Sequence, residues 1–229
     1  MNNISNKNLV RDFYKKAIGG RNTDLIDTYI SDDYIQHSPS MKGGKAGLRD
    51  AMEFLKTLPK PKEDKSPIVL AIADGEYVML LLDLSFMGKH LAVADLFKVV
   101  DGMIVEHWDA IQDVTNNTTD TPAFKVDDEL DVERSESNKA MIRSLFDSSD
   151  LNTADLNKEF WTALRQREPV KLHRIFADGN VVGVQSEGLR SGKQYVFYDF
   201  IKIINSKIIE HWCVEQEIVP AMAHRNGMI

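Results

Sequence analysis

The chain has 229 residues, 43% of them hydrophobic, enough to bury one large core or two modest ones. Twenty-eight basic residues against 35 acidic ones leave a net charge of -7 with no Lys/Arg cluster, which argues against nucleic acid or an anionic membrane as partner. No stretch approaches the roughly 20 apolar residues of a membrane span, the start has no signal-peptide pattern, and a lone Cys213 excludes internal disulfides, so a cytoplasmic protein is expected.

In chain order, Ser5 can cap a helix whose Leu9, Val10, Phe13, Tyr14 and Ala17 form one apolar stripe. "NTDLIDTYI" reads as a short second helix with Leu25, Ile26, Tyr29 and Ile30 inward. "GKAGLRDAMEFLKTL" reads as a third, with Leu48, Met52, Leu55 and Leu58 on one side. Pro59, Pro61 and Pro67 close the helical territory, and four strands follow at 67–73, 77–87, 89–99 and 103–113, joined by turns such as "ADGE" and "VDGM". Helices followed by a meander predict an α+β fold.

The pattern then repeats. "IADGEYV" at 72–78 aligns with "FADGNVV" at 176–182, an offset of 104 (178 - 74) that carries Asp95 onto Asp199, His107 onto His211, Trp108 onto Trp212 and Gln112 onto Gln216. Upstream, "NKNLVRDFY" matches "NKAMIRSLF" at an offset of 132 (138 - 6), so the second copy is 28 residues shorter (132 - 104) and lacks much of the segment around "DDYIQHSPSMKGG". The expected organisation is a complete domain at 1–116, a polar linker at 117–136 and a shortened, diverged domain at 137–229.

Strand alternation gives "IVEHWDAIQ" at 104–112 two unlike faces. His107 and Asp109 share one with Val105 and Ile111, while Glu106, Trp108 and Gln112 share the other. The preceding strand sets Val93, Asp95, Phe97 and Val99 together. A three-residue loop at Val100–Asp101–Gly102 puts Asp95 opposite His107, and a two-residue Asp-Gly loop puts it opposite Trp108. The first is favoured because it gathers the polar groups into one site. A carboxylate on an apolar face is costly unless paired or raised in pKa, and a raised pKa is what an acid or base working near neutral pH needs. Asp109 is the leading candidate for that role. As structural residues, the same three would form a satisfied hydrogen-bond network.

"YIQHSP", "ADG-x-x-V", "D-x-F-K" and "DGMIVEHWDAIQ" together resemble the SnoaL-like polyketide cyclase family, within the nuclear-transport-factor-2-like, ketosteroid-isomerase-like superfamily, over residues 4–114. The resemblance implies two cone-shaped domains, each with helices packed in a strongly curved antiparallel sheet, and an apolar pocket. It also implies aldol cyclisation, isomerisation or hydration chemistry without metal or organic cofactor. Carried across, the family's acid/base aspartate falls on Asp109, a pocket position on Asp95 and the histidine of its "QHNP"-type segment on His37, with Ser38 in place of the usual amide. His107 joins these as a catalytic candidate, and Phe97, Val93, Tyr14, Tyr34 and Met52 are expected to line the substrate side.

In the second copy Cys213 stands at the Asp109 position and the His37 segment is missing. Two functions of different class follow: an enzyme acting on a small hydrophobic carbonyl compound, or a non-catalytic carrier of a small apolar ligand. The Trp108 and Trp212 faces, the best preserved between the copies, are expected to pair within the chain, with higher oligomers left open.

Overall fold

The computed structural model describes residues 3–59, 66–115, 132–147 and 158–229. Helix α1 (Asn3–Asp12) continues through wider π-type turns at Phe13–Gly19, and Val10, Phe13 and Ala17 are buried as the helical period requires. The second predicted helix is cut short. Asn22 accepts a hydrogen bond from the Asp24 N–H to open a 3-10 turn at Thr23–Leu25, α2 (Ile26–Tyr29) is one turn long, and at Ile30 the backbone becomes extended.

That residue starts β1 (Ile30–Gln36), which the sequence reading does not contain. Helix α3 (Gly44–Thr57) follows with Leu48 and Met52 buried. Then come β2 (Ile68–Asp74), β3 (Tyr77–Phe86), β4 (Lys89–Val100) and β5 (Met103–Asp113), close to the predicted limits. The sheet order is β1-β5-β4-β3-β2, and β1 pairs with β5 in parallel, so the expectation of a wholly antiparallel sheet is corrected. Between β1 and the meander the chain passes through α3, and a strand entering by such a crossover can lie parallel where a hairpin strand cannot.

The second copy holds α4 (Ser135–Asp147), α5 (Lys158–Arg165) and an antiparallel sheet of β6 (Lys171–Asp178), β7 (Val181–Arg190), β8 (Lys193–Ile204) and β9 (Lys207–Glu217) in sequential order. Ile142, Leu145, Phe160, Leu164, Val184, Ile201 and Ile208 are among its core residues. Among the described residues it has no counterpart of β1 or α3. The predicted linker falls mostly on 116–131, outside the described residues; its end is a 3-10 turn at Val132–Arg134 that runs into α4.

The two copies tie their first helix to the sheet by the same bond. Asn6 Nδ2 donates to the Gly75 carbonyl at 2.9 Å, and Asn138 Nδ2 donates to the Gly179 carbonyl at 2.9 Å. They also share one turn. Asp101 and Gly102 both have positive φ (48° and 78°), as do Asn205 and Ser206 (50° and 59°), which makes each a two-residue hairpin turn of the type that matches strand twist. The three-residue loop is therefore corrected, yet Asp95 and His107 still share a face. In the second copy the register slips by one between Lys202 and Ile203, leaving Ile209 as the extra residue, so that Ile201 faces His211 and Asp199 faces Cys213. A bulge of this kind reverses the parity that a two-residue turn alone would impose.

The compact units of the chain cut across its sequence copies. One comprises Met1–Leu80, Asp95–Asp109 and Val219–Ile229, the other Leu81–Ala94 and Ala110–Ile218. Within the second unit the Ile111 N–H donates to Gln216 Oε1 at 2.8 Å and the Glu215 N–H donates to Gln112 Oε1 at 3.3 Å. Since Ile111 and Glu215, like Gln112 and Gln216, are 104 residues apart, this is one contact made in both directions.

Candidate functional site

The first unit gathers Asp95, His107 and Asp109, all three buried. His107 and Asp109 are alternate residues of β5 and so project together. His107 Nε2 donates to Asp95 Oδ1 at 3.1 Å, and Nδ1 lies 3.1 Å from Gln36 Oε1. That oxygen also accepts the Ser38 N–H at 2.8 Å, while Gln36 Nε2 donates to the Tyr34 hydroxyl at 2.9 Å. A backbone N–H can only donate, so the Gln36 amide is fixed with its oxygen toward the ring and His107 must carry a proton on Nδ1. Tyr14 Oη donates to the other oxygen of Asp95.

With both ring nitrogens facing acceptors, His107 is built to be a cation. Burial works against its charge, but the hydrogen bond and charge of Asp95, joined by the charge of Asp109, leave its pKa raised. Phe97 stacks on the ring with centroids 4.5 Å apart.

Asp109 differs. Burial and the nearby Asp95 charge push its carboxyl up to about 6, against the pull of His107, a Ser38 hydrogen bond and His224. Its Oδ1 is buried and has no hydrogen-bond partner among the described residues. Ligating atoms of Asp95, His107 and Asp109 all lie within 4.8 Å of one another, close enough to bracket a cation. A ligating His107 nitrogen would first have to give up Asp95 or Gln36.

Of the expected substrate-side residues, Tyr14, Tyr34, Phe97 and Met52 belong to this unit. Tyr14 and Phe97 touch Asp95 and His107 directly, Tyr34 reaches the cluster through Gln36, and Met52 is buried on α3. Burial, with the Asp109 charge, raises the Tyr34 hydroxyl pKa well above the ordinary value. Val93 is buried but lies in the second unit.

His37 does not join the cluster. Gln36 pairs with His107 across the parallel strands, so Gln36 shares the His107 face and His37 takes the opposite one. There it stacks on Trp108 at 4.9 Å, contacts Glu106 Oε1 at 2.9 Å and donates from Nδ1 to the Gly227 carbonyl at 3.0 Å. The residues that sequence reasoning missed are Gln36 and Ser38. Had "YIQHS" been read as a strand, its period of two would have grouped Tyr34, Gln36 and Ser38 and set His37 apart.

The equivalent cluster of the second copy is closed by a cation. Asp199 is fully buried and accepts from Arg167 at 2.7 Å and His211 at 2.7 Å, and the Arg167 guanidinium lies 4.2 Å over the Phe197 ring. Burial alone would raise the Asp199 pKa, but Arg167 and His211 hold it well below the usual carboxylate range. Burial pushes the Cys213 thiol well up, opposed by Arg167, so the nucleophilic thiolate is suppressed.

The sequence profile of the SnoaL-like domain family matches residues 10–107. Those residues are a SnoaL-like domain. Asp109 lies two positions beyond the matched stretch, on the same strand. No curated protein matches the chain. Among solved structures, TsrD of Streptomyces laurentii is 17% identical with a TM-score of 0.40, covering 49% of this chain and 91% of that one. IdmH of Streptomyces antibioticus, a candidate polyketide cyclase, is 18% identical with a TM-score of 0.40, covering 48% and 94%. An NTF2-like protein of Burkholderia xenovorans is 15% identical with a TM-score of 0.41, covering 50% and 95%. No helix among the described residues is long and apolar enough to cross a membrane.

Proposed function

We propose that this chain performs acid–base chemistry, without metal or organic cofactor, on a small hydrophobic carbonyl compound, and that Asp109 moves the proton. The observation that carries this reading is the Asp109 carboxyl itself, buried, its pKa pushed up to about 6 and one oxygen without a hydrogen-bond partner among the described residues. A base poised near neutrality with a lone pair unspent is suited to removing a proton α to a carbonyl. His107 gives both of its protons to internal acceptors, so its part is electrostatic: its charge eases formation of the Asp109 carboxylate. Asp95 and Tyr14 hold that charge in place. Return of the proton to another carbon isomerises the compound, and attack of the enolate on a second carbonyl closes a ring. Both reactions are of the kind the SnoaL-like resemblance implies.

The second copy serves as a built-in partner rather than a second reactive site. Supporting this are the bond exchanged between Gln112 and Gln216 and the Arg167–Asp199 pair that occupies the equivalent cluster.

The test uses 2-tetralone, an enolisable ketone, in deuterated buffer with exchange followed by NMR. Exchange above background that disappears in Asp109→Asn and rises through pH 6 is expected. Saturable binding with no exchange would overturn the reading and assign the site to ligand carriage.

A further inference from the structure

Four consecutive residues, Gln36 to Pro39, each make one hydrogen bond to the C-terminal segment. Asn226 Nδ2 donates to the Gln36 carbonyl at 2.8 Å, and His37 Nδ1 donates to the Gly227 carbonyl at 3.0 Å. His224 Nε2 donates to the Ser38 carbonyl at 2.9 Å, and the Ala223 N–H donates to the Pro39 carbonyl at 3.0 Å. His224 is locked in one tautomer, because its Nδ1 accepts the Asn226 N–H at 3.2 Å. Met228 is buried at 2% exposure, which anchors the far end, and Gly227 supplies the positive φ (77°) that turns the chain there. All these residues belong to the first unit.

The stretch they grip carries the two side chains missed by sequence reasoning. Gln36 orients His107 through its Nδ1, and Ser38 bonds the Asp109 carboxyl. β1 is the edge strand of its sheet and ends at Gln36, so the backbone beyond that point has no neighbouring strand on its outer side. On its inner side this stretch is held by the His37 N–H, which donates to the His107 carbonyl at 2.9 Å; on its outer side the C-terminal segment takes the place of a neighbouring strand.

We propose that the C-terminal segment Val219–Ile229 is a positioning strap for the first copy's site, with Asn226 and His224 as positioning residues that act through the Gln36 and Ser38 backbone. The strap follows directly on the last strand of the second copy, so the copy whose own cluster is closed by Arg167 delivers the element that orders the other one. The inference does not depend on Asp109 turning over a substrate.

The experiment reads the His107 ring protons in the full-length protein by proton–nitrogen NMR. Asn226 is exposed, so Asn226→Ala removes a hydrogen bond and little packing; His224→Ala is the second variant. Solvent exchange of the Nδ1 proton, which faces Gln36, should speed up at least tenfold in each. Exchange of the Nε2 proton, which faces Asp95, should hold, and Asn226→Gln should restore the slow Nδ1 exchange. Ile142→Val, a core change in the second unit, serves as a control for general loosening. Unchanged Nδ1 exchange in both variants overturns the proposal. So does an equal acceleration of both ring protons, or the same response from the control at a comparable loss of melting temperature.

Discussion

Asp95 and His107, twelve residues apart, meet at 3.1 Å between Oδ1 and Nε2 although a two-residue turn separates their strands. Asp95 is the main source of the raised His107 pKa, since burial alone would lower it. In Asp95→Asn the His107 titration, followed by its ring carbon-bound protons, should fall below that of an ordinary histidine, because desolvation then acts with less opposition. A His107 raised in the folded state contributes stability below the unfolded pKa, and this is lost as pH rises through its folded value. Asp95→Asn should therefore cost more stability at pH 5.5 than at pH 9. An unmoved His107 titration would refute the pairing.

Asp109 carries the opposite sign. Its folded pKa is about 6, above that of an ordinary aspartate, so the folded state holds a proton that the unfolded chain has released between roughly pH 4 and 6, and stability falls as pH rises across that window. The full cost above the window is about 3 kcal/mol as an upper figure. Asp109→Asn should raise the melting temperature at pH 8 and change it little at pH 4, the mark of a functional group kept against stability. Thermal denaturation at the two pH values decides it, and a variant that unfolds at both would make Asp109 a structural residue.

Gln112 and Gln216 should behave as a matched pair. Each side-chain oxygen accepts one backbone N–H, at 3.3 Å and 2.8 Å, and each bond is worth about 1 kcal/mol. Replacement of either by Ala should lower stability to denaturant by about that amount, with the larger loss at Gln216. Losses below about 0.3 kcal/mol at both positions would remove the support for pairing of the two copies.

The Arg167–Asp199 ion pair has 4% and 0% side-chain exposure, so Arg167→Leu leaves a buried carboxylate without its guanidinium, answered among the described residues by His211 and the Cys213 thiol. A loss of about 3 to 5 kcal/mol is expected in urea unfolding. The double variant Arg167→Leu/Asp199→Leu should recover part of it. A single variant as stable as the parent would show that the pair is not closed in solution.

Cys213, half-buried, should react more slowly with a thiol reagent in the native protein at pH 8 than once unfolded, because desolvation holds the thiol in its protonated form. Rapid native labelling would reverse the assignment of that position as inert.

The sequence by itself determined the SnoaL-like character of the first copy, the repeat with its 104-residue offset, the meander strands to within a residue or two, and the placing of His107 and Asp109 on one face. These are local or periodic properties, and a period of two or a repeated motif survives in one dimension. Only the tertiary structure decided that "DDYIQ" is an edge strand parallel to β5. That pairing set Gln36 and Ser38 toward the site and His37 away from it. Only the tertiary structure, too, showed that a two-residue turn is compatible with a hydrogen bond between Asp95 and His107, and in the second copy the strand parity depends on a register slip as well as on turn length. The tethering of Gln36 to Pro39 by residues 223–227 likewise depends on segments some 190 positions apart in the chain. Side-chain direction at such contacts is fixed by which strand becomes the neighbour, and pairing between distant segments leaves no period in the sequence to read.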